Sequence, residues 1–238
     1  MAKKFLDFEG EKFEIAYEMI LNQRQEWLVF LHGWGSNKEI MQQAFGELFL
    51  DFNHLYIDLP GFGQSENHIV LDTHRYAKLI KHFLQVLRVE NAIIVGHSFG
   101  GKIATLIEPK ELVLLSSAGI VPPKSLKVKI KIGLAKCLKF LGISCKKLRS
   151  RDADSLSEEM YQTFKNVVDE DFSSIFSSSD CRAYIFWGRQ DMATPLSSGQ
   201  KITSLIKGSK FKVLEGDHYF FLYHSKEIER QILEWRQL

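Results

Sequence analysis

A glycine-rich hexapeptide near the middle of the chain could carry a nucleophile. Its sequence is Gly96-His97-Ser98-Phe99-Gly100-Gly101, which contains the pattern G-x-S-x-G. An apolar run of strand length, residues 92–95, precedes it, and a helical pattern over residues 99–107 follows it. Glycines are needed around a serine in so tight a turn, because a Cβ would obstruct the close backbone approach. We predict that Ser98 is an exposed nucleophile; the alternative is a turn serine that only caps a helix.

A serine hydroxyl is a weak nucleophile and needs a base that is held by an acid. His218 follows a strand-like run that ends at Leu214, and Asp191 follows another that ends at Trp187. Both therefore lie in loops at the carboxyl edge of the predicted sheet, the same edge as Ser98. The chain order Ser98, Asp191, His218 is that of one of the convergent triads. We predict that His218 is the general base and that Asp191 orients it.

Other candidates for acid and base are weaker. Asp58 also ends a strand, but Leu59-Pro60-Gly61-Phe62-Gly63 follows it and indicates a loop-shaping role. The end of the strand at Leu115 carries Ser116 rather than an acid. Structural roles are favoured for the histidines that start a strand, lie on predicted helices or adjoin the serine, namely His54, His74, His82, His224 and His97.

Acyl transfer also needs N–H donors for the oxyanion that develops on the carbonyl oxygen. The motif His32-Gly33-Trp34-Gly35 directly follows a strand-like run, residues 27–31. Its loop can aim the Trp34 amide at the space above Ser98, and the Phe99 amide is the second predicted donor. An ordinary strand-ending turn is the alternative. This chemistry requires no metal and no cofactor, and we expect none; the sequence does not indicate which residues bind the substrate.

The elements that position these residues alternate between strands and helices. Continuous apolar runs indicate strands buried on both faces, and hence a parallel sheet; they are residues 27–31, 54–57, 92–95, 112–115 and 183–187. Alternation over residues 12–19 predicts an antiparallel edge strand. Helical spacing or position predicts helices over residues 38–49 and 73–87, near 197–206 and from about 225, with a strand at 210–214 between the last two. This order predicts an α/β fold.

Residues 121–179 interrupt the alternation. The part that we call the basic segment, residues 124–152, contains ten Lys or Arg and one Asp, and a serine-rich acidic part follows it. Alternation over residues 126–132 is typical of a strand and spacing over 134–141 of a helix; helix is favoured. We predict a mainly helical cap over residues 121–179, inserted into a core of residues 1–120 and 180–238. Its charge would attract an anionic partner; a solvated helix face is the alternative.

Composition limits the class of protein. The 238 residues are 45% apolar and 25% charged, with a net charge of +2, which excludes a disordered chain and gives no overall preference for nucleic acid. Three cysteines, at no metal-ligand spacing, suggest a reducing compartment. No apolar run reaches the length of a spanning helix. We expect a cytoplasmic protein with no transmembrane segment and no nucleic-acid partner.

Five motifs resemble those of the α/β-hydrolase superfamily. They are His32-Gly33-Trp34-Gly35, Asp58 to Ser65, Gly96 to Gly101, Trp187 to Asp191 and Gly216-Asp217-His218. The resemblance implies an α/β-hydrolase fold with an eight-stranded, mostly parallel sheet, a Ser98/His218/Asp191 triad, and a cap after the strand 112–115. The stretch 101–110 is shorter than in relatives, so the helix behind Ser98 should be truncated.

The resemblance extends to small bacterial esterases, pimeloyl-carrier-protein methyl ester esterases and 2-hydroxy-6-oxo-dienoate hydrolases. We therefore predict a serine hydrolase that cleaves a small carboxylic ester or thioester, anionic or linked to a carrier protein. Carbon–carbon bond hydrolysis of the dienoate type is one alternative, although Gly35-Ser36, His97 and Tyr219 depart from that group's pattern. A non-catalytic ligand-binding protein and an acyltransferase are the others.

Overall fold

The computed structural model describes residues 1–121 and 156–237. The basic segment, the helix predicted within it, Cys137 and Cys145 lie outside these residues. The described strands are β1 (Ala2–Phe8), β2 (Glu11–Ile20), β3 (Trp27–Leu31), β4 (Asn53–Ile57), β5 (Ala92–His97), β6 (Glu111–Leu115), β7 (Arg182–Gly188) and β8 (Lys210–Leu214). The described helices are α1 (Lys38–Phe45), α2 (Thr73–Val86), α3 (Phe99–Ile107), α4 (Glu158–Val168), α5 (Ser173–Ser177), α6 (Leu196–Leu205) and α7 (Phe221–Arg236).

The strands form one sheet of eight in the order β1-β2-β4-β3-β5-β6-β7-β8. β2 runs antiparallel to both of its neighbours, and the pairs from β4 to β8 are parallel. Successive residues of β3 enter different cores: Val29 and Leu31 face one side, and Leu28 and Phe30 face the other. The continuous apolar runs therefore have the predicted cause, a sheet buried on both faces.

The two faces of the sheet are covered by different helices. Buried residues of α2, α3 and α6 pack in one core, and those of α1 and α7 in the other. α3 is nine residues long, and its C-cap residue Glu108 has a left-handed backbone with φ 57°. That this helix is shorter than in relatives stays a prediction.

Three details of the predicted elements are wrong. The helix predicted over residues 38–49 ends at Phe45. The strand over residues 12–19 exists but is not at the edge, because β1 pairs with its outer side. β1 has mostly exposed side chains and two lysines, which suit an edge strand but give no apolar alternation. The C-terminal helix begins at Phe221 rather than near 225, and a break in helical geometry at His224 separates its first turn from the rest.

Candidate active site

Ser98 lies in the turn between β5 and α3, with φ 52° and ψ −114°. Such backbone angles are unfavourable for a residue with a Cβ and persist only where the surroundings hold them. The Ser98 amide donates to the Leu115 carbonyl at 3.1 Å, and the Ser98 carbonyl accepts from the Ala118 amide at 3.0 Å. A Cβ on Gly96 would lie 2.5 Å from the Gly100 carbonyl oxygen, so this turn requires glycine there. The turn presents a partly exposed serine at the carboxyl edge of the sheet.

His218 and Asp191 form a direct pair. His218 Nδ1 lies 2.8 Å from Asp191 Oδ2, and the carboxylate also accepts from the amides of Ala193 and Thr194 at 2.8 and 2.9 Å. Burial opposes ionisation of Asp191, but the bonds from His218 and the Thr194 amide outweigh it and lower the pKa of Asp191 to about 2. An ionised carboxylate keeps the proton of a neutral His218 on Nδ1, which leaves Nε2 free to accept one.

His97 connects this pair to the serine turn. Its Nε2 lies 3.0 Å from the His218 carbonyl oxygen, and the two rings are 4.6 Å apart. Because His97 immediately precedes Ser98, the contact brings the loop of His218 beside the Ser98 turn. The pKa of His97 is lowered to about 3, mainly because the ring is buried and to a smaller extent because His218 is close. The His97 ring is therefore neutral. The structure thus gathers all three residues of the predicted triad at one edge of the sheet.

The loop after β3 packs against the same turn. A Cβ added to Gly33 would lie 3.1 Å from Ser98 Cβ, so the backbone at this position closely approaches the serine. The Trp34 ring lies 5.5 Å from the Phe99 ring. The two residues predicted to donate amides to an oxyanion are therefore neighbours beside Ser98.

Buried polar groups hold this loop in place. His32 Nδ1 donates to the Gly33 carbonyl at 2.8 Å, and its Nε2 accepts from the Leu59 amide at 3.0 Å. Asp58 is fully buried and accepts from the amide and Nζ of Lys38 at 2.7 and 2.9 Å. Burial lowers the pKa of His32 to about 4. Asp58 therefore contacts the loops around the site, and its described hydrogen bonds do not include His218.

The described end of the predicted cap is bonded to the core. Thr163 of α4 accepts from the Leu71 amide at 3.0 Å, and the Phe164 ring lies 5.3 Å from that of Trp34. Lys102 of α3 donates through Nζ to the Val167 carbonyl at 2.6 Å and to Glu170 at 2.5 Å. These contacts connect α4 to α3, the helix that follows Ser98, and to the loop after β3.

Sequence analysis did not predict two polar residues that contact this site, Thr194 and Lys102. Thr194 donates its hydroxyl to Asp191 Oδ2 at 2.8 Å and lies 3.4 Å from His218 Nδ1. The sequence feature that could have indicated Thr194 is the short turn after Asp191. In such a turn the aspartate side chain accepts hydrogen bonds from the amides two and three residues later. Lys102 is the charged residue of an otherwise uncharged α3, a pattern that indicates a paired buried charge.

No group of three or more His, Cys, Asp or Glu side chains in residues 1–121 and 156–237 could hold a metal ion. Among the helices of these described residues, none combines the length and the apolar composition that spanning a bilayer requires.

An eight-stranded, mostly parallel sheet flanked by helices, with a serine turn after β5, defines the α/β-hydrolase fold. Residues 26–107 match the family model described as the alpha/beta hydrolase fold. The predicted fold class and the resemblance to this superfamily are confirmed. A solved hydrolase from Pseudomonas aeruginosa superposes with a TM-score of 0.78 at 18% identity, over 99% of this chain and 98% of that one. At this identity, the likeness establishes the fold alone.

Curated relatives match over shorter segments. A 2-succinyl-6-hydroxy-2,4-cyclohexadiene-1-carboxylate synthase from Citrobacter koseri is 40% identical over 80 residues, which are 34% of this chain and 31% of the synthase. A pimeloyl-[acyl-carrier protein] methyl ester esterase from Pseudoalteromonas atlantica is 36% identical over 96 residues, 38% of this chain and 36% of the esterase. The matches thus span about a third of the length of these relatives.

Proposed function

We propose that this protein is a serine hydrolase that cleaves a carboxylic ester or thioester through an acyl-enzyme. The observation that carries the proposal is the 2.8 Å contact between His218 Nδ1 and Asp191 Oδ2, beside a serine in a strained turn. Structural ion pairs also occur in proteins, but few adjoin a strained serine and a loop of backbone amides. The esterase name of one relative supports the same class.

The proposed reaction has two halves. Ser98 Oγ attacks the carbonyl carbon while His218 Nε2 accepts the hydroxyl proton, and the Trp34 and Phe99 amides stabilise the oxyanion. Collapse breaks the bond to the leaving group, which departs as an alcohol or thiol with the proton from His218. Water then attacks the acyl-enzyme by the same route and releases the carboxylic acid. Asp191 stabilises the imidazolium in both halves.

The carrier-protein esterase among the relatives supports an anionic or carrier-linked substrate. We also propose that residues 121–179 form the cap on a core of residues 1–120 and 180–238; the contacts of α4 with Trp34 and Leu71 support it. We further propose a cytoplasmic location; the half-buried Cys181, which forms no disulfide with any described residue, agrees with it.

A panel of p-nitrophenyl esters of graded acyl length tests the proposal. Ser98→Ala and His218→Ala should each lose several orders of magnitude in kcat and keep the fold. His74→Ala, which removes an exposed histidine of α2, is the matched control and should retain full activity. Parental hydrolysis by Ser98→Ala, or loss of activity with EDTA, would refute the mechanism.

A second candidate activity is that of the synthase, since its 40% identity over 80 residues is higher than that of the esterase. Formation of 2-succinyl-6-hydroxy-2,4-cyclohexadiene-1-carboxylate, without hydrolysis of any ester in the panel, would favour it.

A further inference from the structure

The histidine beside the nucleophile has an unusual pair of ring environments. His97 Nε2 faces the His218 carbonyl oxygen at 3.0 Å, and because a carbonyl can only accept, Nε2 must carry the proton. Its Nδ1 is then a bare acceptor, buried and without a hydrogen-bond partner among the described residues. Gly33 covers that side, since a Cβ there would lie 3.0 Å from Nδ1.

This arrangement contributes little to stability. A buried acceptor without a partner costs at least as much free energy as one neutral hydrogen bond contributes. Phenylalanine, which is somewhat larger, would leave the His218 carbonyl without this donor but would also remove the unsatisfied nitrogen, so the two effects on stability oppose each other. Local rules that are broken without a gain in stability tend to occur at functional sites.

Among the described residues, all the ring contacts of His97 are with the segment that bears the proposed base. Its ring lies 4.6 Å from that of His218, 5.2 Å from that of Tyr219 and 4.8 Å from that of Phe221. These ring contacts support the loop by packing, and the hydrogen bond from His97 Nε2–H to the His218 carbonyl fixes its orientation. Because His97 and Ser98 are consecutive, this bond fixes the base-bearing loop relative to the nucleophile.

We infer that His97 is a positioning residue: its neutral ring holds the His218 backbone in register with Ser98 through the Nε2–H bond. The inference rests on the proposed function. It differs from a structural role because it predicts a loss of turnover without a matching loss of stability.

The test compares His97→Phe with His54→Phe. His54 is also fully buried, but both of its nitrogens are bonded, to the Tyr56 hydroxyl at 2.9 Å and the Phe49 carbonyl at 3.1 Å, at the far end of the sheet. His54→Phe should therefore lower Tm more than His97→Phe and leave kcat unchanged. His97→Phe should lower kcat about 100-fold with KM nearly constant, the effect of a small misplacement of a catalytic group.

A conservative variant tests the bond itself. The amide nitrogen of Gln is as many bonds from Cβ as His Nε2 is, so His97→Gln can donate to the same carbonyl. It should recover at least about tenfold of the kcat lost in His97→Phe. Wild-type kcat in His97→Phe, or a fall in its Tm larger than that of His54→Phe, would overturn the inference.

A spectroscopic readout separates this inference from the hydrolase proposal. The His218 Nδ1 proton, assigned by its absence in Asp191→Asn, should shift or broaden in the NMR spectrum of His97→Phe and remain unchanged in His54→Phe. That result would support the positioning role even if no ester were hydrolysed, in which case only the proposed function would fail. An unchanged proton signal in His97→Phe would refute the positioning role.

Discussion

Replacement of Asp191 by asparagine should abolish turnover while the protein stays folded. Asparagine cannot stabilise the imidazolium and favours the wrong tautomer of His218, a change that costs about 10⁴-fold in kcat in such triads. The structure also gives a stability effect. The pKa of Asp191 falls from 3.8 to about 2 on folding, a difference of about 2 pK units or roughly 2.5 kcal/mol in favour of the charged form.

The sign of this effect fixes its pH dependence. Because the folded-state pKa is the lower one, the contribution is complete above the unfolded value near 4 and is lost as the pH falls towards 2. Urea unfolding of wild type and Asp191→Asn should therefore show a difference in unfolding free energy that shrinks between pH 5 and pH 3 by about 1 kcal/mol.

Asp58→Asn is the matched control, because the side chain of Asp58, like that of Asp191, is fully buried; it accepts a hydrogen bond from Lys38 Nζ at 2.9 Å. Asp58→Asn should lower the free energy of unfolding by about 3 kcal/mol. This is the low end of the range for breaking a buried ion pair, because Lys38 keeps its second partner, Glu39. Its kcat should fall far less than that of Asp191→Asn. Loss of activity in Asp58→Asn together with full activity in Asp191→Asn would show that Asp58, rather than Asp191, is the acid that orients His218.

Three further predictions concern the loops and the predicted cap. Gly33→Ala should lower kcat at least about tenfold, because the new Cβ would lie 3.0 Å from His97 Nδ1 and 3.1 Å from Ser98 Cβ; unchanged kinetics would show that the loop does not limit the reaction. Glu170→Ala should destabilise the protein by about 3 kcal/mol and Lys102→Met by clearly less, since only the former leaves a buried charge unpaired; equal losses in denaturant unfolding would contradict this. Finally, kcat/KM for an anionic ester should fall between about 20 and 500 mM salt while that for a neutral ester of equal length stays nearly constant, if the basic segment steers substrates; equal responses would leave a solvated surface as its role.

The parallel sheet and the residues that follow its strands could be predicted from the sequence alone. Apolar runs buried on both faces admit few other arrangements, and parallel strands place their carboxyl ends at one edge. Ser98, His218 and Asp191 could thus be proposed as neighbours although they are far apart along the chain. The edge position of β1 could not be predicted from the sequence, because an exposed edge strand needs no apolar alternation.

The tertiary structure alone decided which polar groups support the site. The sequence favoured Asp191 over Asp58, but the contact of Thr194 with both Asp191 and His218 depends on loop directions, which local sequence does not encode. The pairing of Lys102 with Glu170, and of His97 with the His218 carbonyl, joins residues 68 and 121 positions apart. Such contacts arise only when separate elements pack together, so the sequence shows the buried polar residue while the fold determines its partner.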